Sequence, residues 1–224
     1  MSTHFTPVRS LVHLIERWRF RLLLGLLTGV LFLEPLLSGR RGGEIVMTGL
    51  FGIILFGAVL VSEPPRKARY PTYALIAVWL ALGWLTNLPV TSTLQAPLLL
   101  ITMVIGVTVF GFTLRALIVN PEADIDALAG AVFGYLLLAV LWALFYMQLE
   151  IWTPGSFGFS DGGDDHSGEL LYFSLVTITT LGYGDITALN PFARICTGIE
   201  AAQGTLYLAI LVGRAVGLLH NQHK

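Results

Sequence analysis

Thr177-Ile178-Thr179-Thr180-Leu181-Gly182-Tyr183-Gly184-Asp185 is the stretch that decides how this chain folds. It holds two glycines, Gly182 and Gly184, either side of Tyr183, and glycine reaches positive φ at little cost. Running into it, residues 170–180 form an apolar piece too short to cross a bilayer, which takes about 20 residues of helix. That piece is expected to enter the membrane and turn back. Residues 150–169 ahead of it are Gly- and Asp-rich, and apolar runs at 125–149 and 192–219 flank the whole unit. Non-helical backbone at membrane depth is tolerated only where it is buried in protein or lines a water-filled cavity. The nine residues are therefore expected to wall such a cavity.

Composition fixes the solvent. Hydrophobic residues make up 55% of the 224 and charged residues only 12%, with a mean hydropathy of +0.76. Soluble domains carry about 25% charge, so this is an integral membrane protein. The net charge of −1 argues against nucleic acid, which needs a basic face. The single cysteine, Cys196, excludes an internal disulfide and a Cys-based metal cluster, and its apolar and small neighbours mark it as a packing residue. The first apolar run continues to spanning length, so the N-terminus does not read as a cleaved signal.

The remaining runs lie at 20–37, 45–62, 72–88 and 97–119, separated by breakers such as Ser-Gly-Arg-Arg-Gly-Gly and Glu-Pro-Pro-Arg-Lys. With the N-terminus inside, Arg9, Arg17, Arg19, Arg21, Arg66, Lys67, Arg69, Arg115, Arg214 and Lys224 fall on or near the cytoplasmic face. Only Arg40, Arg41 and Arg194 fall outside, the asymmetry that orients membrane proteins. The fold class expected is an all-α membrane protein of six spans plus one re-entrant helix, both termini cytoplasmic. Residues 1–19 form an N-terminal piece, 20–120 a four-helix membrane domain, 124–220 a pore domain and 221–224 a short tail. In residues 8–19, Val8, Leu11, Val12, Leu14, Ile15 and Trp18 fall at helical spacing opposite Arg9, Glu16, Arg17 and Arg19. That pattern fits a helix in the headgroup plane or a plain extension of the first span.

The nine-residue string, following a short helix between two spans, resembles the selectivity filter of potassium channels. The stretch 189–219, with Ala-Arg-Ile-Cys-Thr-Gly-Ile-Glu, is similar to bacterial members with a six-span subunit. The resemblance covers roughly 124–220 and implies a homotetramer around one pore, with K+ as the permeant ion. The carbonyls of Thr180, Leu181, Gly182 and Tyr183, with the Thr180 hydroxyl, would replace the ion's hydration shell. Gly184, Asp185, Tyr172 and Thr179 would support the filter, Tyr183 bracing it from behind. Tyr172 stands where many relatives have Trp as partner to the Asp185 position, and Val176 stands where some bacterial relatives place a buried Glu. Gly204 occupies the family's hinge position, where close helix packing is the other reading. The re-entrant helix would aim its partly negative C-terminus at the pore.

The first four spans are similar to a voltage sensor only in count and placement. Each charge moved through the field yields about 2.3 kcal/mol per 100 mV, and the fourth span holds only Arg115. Arg115 reads as an anchor, and intrinsic voltage gating is not expected. Glu200 either hydrogen-bonds pore-helix hydroxyls and holds that helix in place or titrates and gates. Glu34 reads as interfacial. Asp161, Asp164, Asp165 and His166, with Glu150 and Glu169, would gather cations at the outer mouth or sense protons and divalent ions. The expected partners are K+, identical subunits and lipids of the cell membrane. An enzyme is not expected: no metalloprotease pair, phosphate loop or based nucleophile is present. The alternatives are a weakly selective cation channel, a non-conducting or modulatory subunit, and a transporter subunit, which would carry several filter-like repeats.

Overall fold

The computed structural model describes residues 7–37, 43–86, 95–119, 125–159 and 166–221. Seven helices follow in order among these residues: α1 Pro7–Leu37, α2 Gly43–Ser62, α3 Arg66–Thr86, α4 Gln95–Val119, α5 Ile125–Trp152, α6 Ser167–Ile178 and α7 Pro191–Asn221. Two short strands, β1 Phe157–Gly158 and β2 Thr187–Ala188, interrupt the all-helical expectation. They pair antiparallel, Phe157 opposite Ala188. Two residues are too few for alternation to show in a sequence.

Apolar composition explains the helices, since in lipid a helix satisfies its own backbone. Their ends follow local chemistry. Asn190 caps α7, accepting from the Ala193 N–H at 2.7 Å, and Pro191 supplies the first helical φ. Between α2 and α3 the chain turns at Glu63-Pro64-Pro65, with Glu63 at φ 44° and its carboxylate 2.9 Å from Arg19.

Among the described residues three helices suffice, on length and composition, to cross a membrane: Trp18–Leu37, Ala96–Val119 and Ile125–Trp152. Val46–Ser62 is apolar but shorter. Arg66, Lys67 and Arg69 load the start of α3, while Arg194, Glu200 and Arg214 lie along α7. Six spans is thus a finer reading than these helices give by themselves.

The helices pack around two main cores. Leu27, Leu55, Ile105, Phe133 and Leu137 join α1, α2, α4 and α5. Tyr146, Phe157, Leu170 and Phe173 join α5, the ribbon and α6. Much of the outside is equally apolar: Phe32, Ile118 and Ile210 are 75%, 71% and 72% exposed, as expected where lipid or another chain is the neighbour.

α1 runs unbroken through residue 19, yet its backbone meets an outside group just there. The buried Asp126 carboxylate, from the first turn of α5, accepts from the N–H groups of Phe20 and Arg21 at 3.3 and 3.1 Å. A side chain set into a helix's hydrogen-bond ladder is a recognised cause of bending.

Candidate functional site

α6 is the short helix expected before the filter, beginning at Ser167 and ending at Ile178. At its start Glu169 lies 2.6 Å from His166, whose ring stacks on Phe159 at 3.7 Å. Acids in a first turn suit the positive end of the helix dipole. Glu34 reaches the same turn from α1: a β-carbon built on Gly168 would sit 2.8 Å from its Oε1. Glu34, read from the sequence as interfacial, thus lies beside the first turn of α6. Of the mouth residues, His166 is described, whereas Asp161, Asp164 and Asp165 lie outside the described residues. Glu150, in the last turn of α5, accepts from the N–H groups of Gly155 at 2.6 Å and Phe157 at 3.2 Å in the segment that follows.

The other end of α6 explains why the helix stops two residues earlier than hydropathy suggests. Thr179 is the C-cap and Thr180 follows in the left-handed region at φ 58°. The Leu181 N–H donates to Val176 O, and the Thr180 N–H to Thr177 O, both at 2.9 Å. This is a Schellman closure, in which glycine normally takes the left-handed place. Here a β-branched threonine takes it, at a cost of about 1–3 kcal/mol. The Thr179 hydroxyl covers Leu175 O at 2.6 Å.

Gly182 and Gly184 are also at positive φ, 55° and 79°, whereas Leu181 and Tyr183 are not. Alternating handedness turns successive peptide groups the same way, unlike a β-strand. In keeping with that, the N–H groups of both Leu181 and Gly182 point back to Val176 O. All residues from 180 to 185 are exposed in the single chain. Leu181 is 55% and Tyr183 68% exposed, and a groove of 430 Å³ opens beside them, lined by Phe173, Val176, Thr180, Arg194 and Ala201. Tyr172 donates to the Asp185 carboxylate at 2.8 Å, and chiefly for that reason Asp185 is held below the usual carboxylate range.

α6 is held from behind by residues the sequence singled out, Gly204 and Glu200, together with tyrosines it did not, Tyr135 and Tyr146. Tyr135 of α5 donates to Ile178 O at 2.9 Å. Gly204 of α7 packs so closely on Ile178 that an added methyl would collide with its carbonyl oxygen. Trp142 donates to Gln203 Oε1 at 2.9 Å, joining α5 to α7. Glu200 is fully buried, within hydrogen-bond distance of Ser174 of α6 at 2.5 Å and Tyr146 of α5 at 2.6 Å. Beyond Asp185, Asn190 donates to Ser156 Oγ at 2.6 Å and Arg194 to Ala188 O at 3.1 Å. Only helical phase could have flagged the tyrosines, as the inward face of α5. Arg115, on α4, is exposed. Among the described residues no cluster of His, Cys, Asp and Glu is arranged to hold a metal ion.

Residues 133–220 match the family model described as "Ion channel". The chain is 28% identical over 97 residues to Two-pore potassium channel 4 of Arabidopsis thaliana, covering 42% of this chain and 34% of that protein. It is 38% identical over 61 residues to Two pore potassium channel c of Oryza sativa subsp. japonica, covering 25% and 13%. It is 49% identical over 41 residues to Potassium voltage-gated channel protein shk-1 of Caenorhabditis elegans, covering 18% and 8%. No solved structure matches. The chain thus spans about a third or less of the length of these curated relatives, and its likeness to ion channels lies in α5, α6, the strand after α6 and α7.

Proposed function

We propose that this chain is one subunit of a potassium-selective channel, conducting K+ passively through a pore made where four copies meet. One observation carries the reading: a backbone of alternating handedness at Thr180, Gly182 and Gly184, fed directly from the C-terminus of a short apolar helix. Four such strands would present the carbonyls of Thr180, Leu181, Gly182 and Tyr183, with the Thr180 hydroxyl, to a dehydrated ion. Neutral oxygens replace hydration without a fixed charge that would trap the ion. The exposure of Leu181 and Tyr183 fits surfaces that neighbouring copies cover, and the named relatives are potassium channels.

Each subunit crosses the cell membrane six times with both ends cytoplasmic. α4 carries a single basic residue, Arg115, so the channel is not intrinsically voltage-gated. The acidic loop before α6 concentrates cations at the mouth. The deciding experiment is reconstitution of the purified chain in liposomes with parallel rubidium and sodium flux, alongside its mass in detergent. Selective rubidium uptake by a tetramer is expected. A monomer, or equal passage of both ions, overturns the reading.

A further inference from the structure

The contacts around Glu200 contain one proton more than an ionised carboxylate allows. Ser174 Oγ lies 2.7 Å from Ala139 O and 2.5 Å from Glu200 Oε1. A serine hydroxyl has one hydrogen to donate, while a backbone carbonyl only accepts. If Glu200 were ionised, one of these contacts would set two lone pairs against each other at hydrogen-bond distance. With a proton on Oε1 every contact is satisfied in one direction. Tyr146 donates to Glu200 Oε2 at 2.6 Å, Glu200 Oε1 donates to Ser174, and Ser174 donates to Ala139 O.

The surroundings agree. Glu200, Ser174, Tyr146 and Ala139 are each 1% exposed or less. The titratable groups facing Glu200 from α5 are Tyr146 and Tyr135, and Cys196 lies one turn earlier on its own helix. None of them is a cation. A buried charge without a partner is strongly disfavoured.

We infer that Glu200 is a neutral, proton-donating positioning residue, whose acid hydrogen completes a relay that fastens α6 to α5 and α7 behind the filter. The relay grips α6 at Ser174, one turn ahead of Ile178, where Tyr135 and Gly204 grip it again. Glutamine mimics the neutral acid, since its amide nitrogen donates to Ser174 and its oxygen accepts from Tyr146. Alanine removes the link.

The test has two arms on the full-length protein in liposomes. Infrared difference spectra at neutral pH, wild type minus Glu200→Gln, are expected to show the carbonyl stretch of a protonated acid. Loss of carboxylate bands instead overturns the inference, as does a Glu200→Gln chain that fails to assemble. In the flux arm, Glu200→Gln is expected to keep the wild-type rubidium-to-sodium ratio and Glu200→Ala to lower it about tenfold, the scale of one lost buried hydrogen bond. An unchanged ratio in Glu200→Ala sinks the positioning role. The flux arm rests on the channel reading, whereas the infrared arm reads the proton directly. A wild type that does not conduct therefore defeats the channel reading alone, and an alanine variant that does not assemble leaves the infrared result to decide.

Discussion

The Tyr172 phenol donates to the Asp185 carboxylate across 2.8 Å, tying the end of the segment after α6 to the middle of that helix. Asp185 is thereby held below the ordinary carboxylate range. A carboxylate lowered on folding stabilises the folded state fully above its unfolded pKa, and that contribution is lost as pH falls through the folded value. Acidification is accordingly expected to shorten the conducting lifetime. Tyr172→Phe should move the midpoint of that loss to higher pH, read from rubidium flux against external pH. An unmoved midpoint would separate the pair from filter stability.

Tyr135→Phe removes the only side-chain donor recorded to Ile178 O among the described residues. The carbonyl is buried, so leaving it unsatisfied costs about 1–3 kcal/mol. Thermal unfolding of the detergent-purified variant should report that loss, with no effect expected on the ribbon at Phe157 and Ala188.

Thr180 separates strain from ion binding. Thr180→Gly relieves the left-handed backbone, so melting temperature is expected to hold or rise. The same change deletes the hydroxyl, so rubidium selectivity should fall. Thr180→Val keeps the strain and loses the hydroxyl, so melting temperature should stay near wild type while rubidium selectivity falls.

Gly204→Ala distinguishes packing from hinge bending. The added methyl meets backbone of Ile178, which cannot step aside as a side-chain tip can. Overpacking of this kind costs about 1–3 kcal/mol. The variant should assemble poorly, measured as tetramer yield, before any change in gating kinetics is visible. Normal yield with altered opening would favour the hinge.

Sequence reading placed the helices well because their signal is local: long apolar runs and Pro or Gly breaks. It placed the short helix α6 for the same reason, but set its end at Thr180, since hydropathy cannot register a left-handed φ. Glu200 stood out as a carboxyl in an apolar run, while Tyr146, 54 residues away, looked like any aromatic on a buried helix. No periodic pattern joins two such positions; only the packing of α5 on α7 does. That Glu34 of α1 lies beside the start of α6 was not legible, because no sequence pattern says which helix that end meets. The β1–β2 pairing escaped notice because its register is held by Asn190, Ser156 and Arg194, each serving another element.

Thr180 has a double duty that sets how this molecule can fail. The same residue closes the last turn of α6 and offers the first oxygen of the proposed conduction path. Fraying the helix by a single residue and deforming that first ligand are then one event, so loss of the proposed conduction should begin at the α6 end of the strand and spread away from it.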